Sequence, residues 1–245
     1  MSKTVILIPS RLSATRLPRK PLLKINGLSI ISNVFKKAKE ADIGEVYVAT
    51  EDKEIVDDVN LNGGKAILTS NKHKTGSDRI FECYEKLNLL DIDYIINLQG
   101  DEPNINLKDL KHLNKLIENK KPEIGTLASE INDKSKLTNT NIVKVITESK
   151  ITYKNFPVAL EFKRNANDLN TNIYHHIGIY AYKPSVLKRI IKFEQTNNEI
   201  KNRLEQIRAM ENGIKINVAL ANFCPVGVDT MEDYLELKKK LEYNS

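Results

Sequence analysis

No tryptophan occurs among the 245 residues, and the aromatic content is only 6%. A platform for single-stranded nucleic acid interleaves aromatic rings with cations. No stretch here supplies one, so nucleic acid is not an expected partner despite a net charge of +6. The two cysteines, Cys83 and Cys224, lie far apart, which excludes a disulfide framework and a zinc site of recognisable spacing. Both read as core residues. No apolar run approaches the roughly 20 residues that span a bilayer, and the opening "VILIP" is short for the apolar segment of a signal peptide. The expectation is a cytoplasmic protein with no membrane insertion. The glycine-rich phosphate signatures G-x-G-x-x-G and G-x-x-x-x-G-K-[ST] are also missing, so any phosphate must be held by something other than a glycine cradle.

What is present is an alternation of buried-strand and amphipathic-helix patterns. Residues 3–9, 45–50, 65–70 and 93–99 are apolar runs rich in valine and isoleucine, and residues 28–41, 52–63 and 77–90 between them carry helical periodicity. That order predicts a parallel sheet with crossover helices, a Rossmann-like first half. The second half is less regular. It begins with a helix near 107–119, followed by strand patterns at 124–131, 142–149 and 173–183 and a polar stretch, 161–172, that reads as an exposed loop. Helices follow at 184–193 and 199–212, then a strand at 214–220 and a last helix from Thr230. With no linker or repeat to cut at, the reading is one domain over residues 1–245 with an insertion around 130–180.

Open parallel sheets bind ligands beyond the carboxyl ends of their strands. Two segments stand there. "IPSRLSATRLPRKPL" (8–22) follows the first strand and concentrates Arg11, Arg16, Arg19 and Lys20 between prolines; "QGDEPN" (99–104) follows the fourth. Guanidinium forks and an ammonium grip phosphate oxygens directly, and Pro18 and Pro21 reduce the entropy lost when the loop closes on a ligand. The cations fit a nucleoside triphosphate. Asp101 suits Mg²⁺, which takes a carboxylate or two plus phosphate oxygens, or it caps its turn. Asp229 precedes Thr230, which with Asp233 forms a capping-box pattern; helix capping explains Asp229 locally, whereas a chain end folded back beside the fourth strand would let it share a metal with Asp101.

The motifs "IPSRLSATRLPRKPL", "VYVATED", "HKTGSDR", "NLQGDEP", "NIVKV", "HHIGIYAY", "LEQIRAMENG" and "VGVDTMEDY" occur in that order. Together they resemble the CMP-Kdo synthetases (3-deoxy-manno-octulosonate cytidylyltransferases) along nearly the whole chain. The resemblance implies a glycosyltransferase-A-like nucleotidyltransferase fold, α/β with a mixed, mainly parallel sheet flanked by helices. It implies Mg²⁺-dependent transfer of CMP from CTP to the anomeric hydroxyl of an acidic sugar, feeding lipopolysaccharide synthesis, by a homodimer paired through the 130–180 insertion. By resemblance, Arg11, Arg16 and Lys20 hold the triphosphate with Pro9 beside them, and Thr75, Gly76, Ser77, Asp78 and Arg79 form the cytidine loop. Asp101 and Asp229 hold the metal; with Lys20, Arg11 and Arg16 they make up the catalytic set. Gln99, His176, Tyr180, Glu205 and Gln206 meet the sugar acid. Glu205 and Gln206 fall within a helical pattern whose local reading is an exposed polar face, and His176 reads as a binding group rather than a base.

The chain departs from the family at Ala14, where serine is usual, at Arg19, where glycine is usual, and at Tyr153, where an arginine is expected. The anion clamp expected at Tyr153 is then absent or supplied by Lys154 or Arg164. Besides Kdo itself, the alternatives are another acidic sugar, such as 8-amino-Kdo or a nonulosonate, and a nucleotide-binding homologue without turnover.

Overall fold

The structure, a computed structural model, describes residues 3–13, 16–166, 172–225 and 227–243, so the departure at Ala14 lies outside the described residues. The chain forms two compact units, Lys3–Leu107 with Pro225–Ser245, and Lys108–Cys224. The expected 130–180 insertion falls wholly inside the second.

The first unit opens with β1 (Thr4–Ser10) and a 3₁₀ turn (Lys20–Leu22). A hairpin follows, β2 (Lys24–Ile25) and β3 (Leu28–Ser29), which sequence periodicity missed because each arm is two residues long. Its turn residues Asn26 and Gly27 both have positive φ, 51° and 78°, the conformation an Asn-Gly pair adopts most readily. Then come α1 (Ile30–Glu40), β4 (Gly44–Thr50), α2 (Lys53–Leu61), β5 (Ala66–Leu68), α3 (Gly76–Leu87) and β6 (Tyr94–Asn97). Sheet order is β6-β1-β4-β5, every pairing parallel. Val5, Ile6, Leu7, Ile8, Ile95 and Ile96 have no exposed surface, as expected of strands covered on both faces.

The second unit runs α4 (Leu107–Lys120), β7 (Ile124–Ser129), α5 (Ser135–Thr138), β8 (Lys144–Thr147), β9 (Ala159–Lys163), β10 (Ile173–Tyr182), α6 (Pro184–Ile190), α7 (Asn197–Asn202), α8 (Gln206–Glu211) and β11 (Ile216–Leu220). β11 lies parallel to β7, whereas β7, β10, β8 and β9 pair antiparallel in that order. Two expectations are corrected here. The polar stretch read as a loop begins with three strand residues, because Phe162 turns into the core at 4% exposure while its neighbours Glu161 and Lys163 form an ion pair outside. The helix expected over 199–212 is two helices, broken where Arg203 takes a left-handed φ of 53°. The chain then returns to the first unit as α9 (Met231–Tyr243). The fold is the expected mixed α/β class.

Candidate active site

The cationic loop leaves β1 and is held by its own backbone: Leu12 N–H donates to Asp52 Oδ2 at 2.7 Å, and Lys20 N–H to the Leu17 carbonyl at 3.2 Å. Leu17 anchors it, packing in one cluster with Ile25, Ile30, Val228, Tyr234 and Leu237. That cluster also seats the segment before α9. Val228 N–H donates to the Asp101 carbonyl at 3.1 Å, so the chain end is tied beside the turn after β6. Gly100 lets that turn approach β1: a Cβ there would stand 2.8 Å from the Pro9 carbonyl oxygen.

Loop, turn and chain end converge on a cleft of about 390 Å³ within the first unit. Lys20 Nζ donates to Asp101 Oδ2 at 2.7 Å and to Asp229 Oδ1 at 3.4 Å. Arg16 reaches the same Asp229 oxygen at 3.1 Å. Asp229 does not cap α9. Thr230 takes that role through Asp233 N–H at 3.1 Å, while Asp233 accepts from the amides of Asp229 and Thr230; the Asp229 carboxylate is left to face the cations. The folded-back chain end thus brings Asp101 and Asp229 to the same ammonium, that of Lys20. Among the described residues no group of three or more His, Cys, Asp and Glu side chains gathers as a metal cage, so a cation here would draw further ligands from a phosphate. Glu102, next in the turn, is raised to about 8 by burial and by Asp101, with Lys20 opposing.

On the other wall, α3 begins at the cleft. Thr75 Oγ1 accepts from Asp78 N–H at 3.2 Å and Asp78 Oδ2 accepts from Thr75 N–H at 3.1 Å, a capping box. Thr75, Gly76 and Arg79 line the cleft, together with Pro9, Arg11, Arg16, Lys20 and Gln99. Ser77 and Asp78 do not line it. Arg79, 3% exposed, is committed to Thr69 Oγ1 at 2.8 Å and to Glu51; its main contribution is to fix the entry to α3. His73 and Lys74 also line the cleft and carry no assignment from the sequence. Their signal was their place at the head of the "HKTGSDR" motif. His73 Nε2 bonds the Glu82 carboxylate, and Glu82, which burial alone would raise, is lowered to about 2 by hydrogen bonds from Lys86, the Ser70 amide and His73.

The residues assigned to the sugar acid, apart from Gln99, lie in the second unit. His176 and Tyr180 stand on β10 with ring centroids 5.3 Å apart. Burial lowers His176 to about 3, with His175 adding to the effect, so the imidazole is neutral and too weak a base to take a sugar proton at neutral pH. Burial raises Tyr180 well above its ordinary value, helped by Tyr182 and Glu205. Glu205 and Gln206 are not mid-helix: Glu205 is the residue before α8, at the break after α7. Arg164 offers no clamp. Its Nε donates to the Asn202 carbonyl at 2.8 Å and its terminal nitrogens to the carbonyls of Thr140 and Arg203 at 3.1 and 3.2 Å. Tyr153 bonds Asn222 through its hydroxyl and packs against His112 at 5.3 Å between ring centroids.

Residues 5–216 match the cytidylyltransferase family. The chain is 40% identical to the 3-deoxy-manno-octulosonate cytidylyltransferase of Thermodesulfovibrio yellowstonii over 97% of either chain. It is 39% identical to that of Nitrobacter hamburgensis over 98% of this chain and 93% of the relative. Among solved structures, CMP:2-keto-3-deoxy-manno-octonic acid synthetase complexed with CTP superimposes with a TM-score of 0.90 at 33% identity, each chain covered in full.

Proposed function

The chain belongs to the cytidylyltransferase family, among the 3-deoxy-manno-octulosonate cytidylyltransferases, and from that premise we propose that it transfers CMP from CTP to the anomeric 2-hydroxyl of Kdo, releasing pyrophosphate. The observation that carries this reading is the convergence of Arg16, Lys20, Asp101 and Asp229 on one cleft beside the start of α3. In nucleotidyl transfer the bond from the sugar oxygen to the α-phosphorus forms as the bond to pyrophosphate breaks. Negative charge grows on the leaving pyrophosphate and the equatorial oxygens, and preorganised cations stabilise it. Arg11 and Arg16 would grip the triphosphate, and Lys20, 12% exposed and braced by two carboxylates, would meet the charge without reorganising. Thr75, Gly76 and Arg79 shape the wall for the cytidine.

Two carboxylates that reach the same Lys20 ammonium are oxygen donors of the kind Mg²⁺ takes, and Asp101 and Asp229 would hold it with phosphate oxygens. Bound there, the ion supplies charge neutralisation and lowers the pKa of the attacking hydroxyl. Gln99, His176, Tyr180, Glu205 and Gln206 are the residues proposed to hold the sugar acid. A cytoplasmic homodimer is the proposed setting; among the described residues no helix is long and apolar enough to cross a membrane.

The deciding experiment measures pyrophosphate release from CTP and Mg²⁺ with Kdo, 8-amino-Kdo and a nonulosonate, with and without chelator. Release with Kdo that stops on chelation is the expected result. Release only with another acid reassigns the acceptor, and CTP binding with no release for any acid overturns the enzymatic reading.

A further inference from the structure

β10 carries a bulge: Ile177 pairs with Leu127 and Tyr180 with Thr126, leaving Gly178 and Ile179 between them. The Thr126 side chain, on β7 and fully buried, fills that irregularity. Its Oγ1 stands 2.7 Å from the Ile179 carbonyl oxygen, 3.3 Å from that of Ile177 and 3.0 Å from His176 Nε2. A hydroxyl has one proton to give. Carbonyl oxygens can only accept, and an oxygen pair at 2.7 Å without a proton between them is repulsive. The proton therefore goes to Ile179, and Oγ1 is left as an acceptor toward His176.

We infer that Thr126 is a positioning residue that fixes His176 as the Nε2–H tautomer, so that Nδ1 presents a lone pair for a hydroxyl of the sugar acid. Two further observations agree. Nδ1 has no partner among the described residues, and the ring is clamped by Phe162, edge-on at 5.0 Å, and by Tyr180. Burial keeps the imidazole neutral, so Nδ1 can accept a hydrogen bond but never donate one. A site of this kind selects a ligand hydroxyl at that point and rejects its deoxy or O-methyl analogue, which would leave that acceptor unpaired.

The selection of a sugar hydroxyl rests on the function proposed above; the tautomer does not. Nitrogen-15 NMR of the imidazoles in the ligand-free protein, with the His176→Gln variant used to assign the signal, should show His176 protonated at Nε2. A signal from an Nδ1-protonated ring overturns the inference. Thr126→Val should mix the tautomers and raise KM for the acceptor about tenfold, as expected for one misdirected hydrogen bond, with KM for CTP unchanged. Thr126→Ser should restore both. An unchanged acceptor KM in a folded Thr126→Val enzyme also overturns it. Should wild-type protein turn over no sugar acid, the function reading fails, and the NMR signal alone decides the tautomer.

Discussion

Lys20 is the residue on which the polar contacts of the cleft converge. It is bonded to both aspartates and lines the cleft, so its loss leaves two carboxylates facing one another and, on the function proposed above, removes a charge that would meet the reacting phosphate. Lys20→Ala should lower kcat by about 10²–10³-fold while KM for CTP moves much less, because the grip on the triphosphate proposed for Arg11 and Arg16 remains. Steady-state kinetics against CTP checks this, and an effect confined to KM would reduce Lys20 to a binding residue. Its neighbour Arg19 stands where the resemblance implies a glycine. Arg19 sits at φ 58°, a left-handed backbone that glycine adopts without penalty and a residue with a Cβ does not. Its guanidinium pairs with Glu54 on the surface. Since that ion pair is exposed, the backbone should decide the ranking of variants: Arg19→Gly should unfold at higher urea concentration than Arg19→Ala, and the reverse order would refute the strain.

At the scale of elements, caps and breaks position the site. The Thr230–Asp233 box starts α9 and frees Asp229 for the cleft. Thr230→Ala should cost about 1 kcal/mol of stability in urea unfolding, and Thr230→Ser should recover most of it. This capping box was legible in the sequence, as were the long helices and the four strands of the first unit, since patterning over ten residues is a local property. The hairpin of β2 and β3 and strand β9 were not, because two-residue arms have no periodicity and β9 turns Ala159 and Phe162 inward, three residues apart, while Leu160 and Glu161 face out. The break at Arg203 was hidden for another reason. Arg164, distant in sequence, satisfies the carbonyls at the end of α7, and no local signal announces that partner.

For the whole molecule, the buried imidazoles set how stability responds to acid. Burial lowers His175 to about 4, aided by Lys136 and Lys144, and His176 to about 3, from 6.5 when unfolded. Below pH 6.5 the unfolded chain takes up protons that the folded chain refuses, so each group withdraws up to about 1.4 kcal/mol per pH unit as pH falls. Glu102, raised to about 8 from 4.5, works in the opposite direction between those values, and two imidazoles outweigh one carboxyl. Under pH 4.5 Glu102 is protonated in both states, and Glu82, lowered to about 2, joins the imidazoles. Urea unfolding at pH 6.5, 5.5, 4.5 and 3.5 should therefore show stability falling with acidification, more steeply below 4.5 than above it. A flat profile would contradict the buried neutral histidines.

By itself the sequence determined the α/β class, the cationic loop after the first strand, the acidic turn after the fourth and the family, because hydrophobic period, proline placement and motif order are written in neighbouring residues. Only the tertiary structure decided that Asp229 leaves its cap to Thr230 and meets Lys20 beside Asp101, that Arg164 is spent on backbone carbonyls, and that Thr126 orients His176 across a bulge. Each of these is a contact between residues far apart in the chain. Its geometry comes from which polar groups are brought together once the core has closed, a meeting that does not exist until the chain is folded.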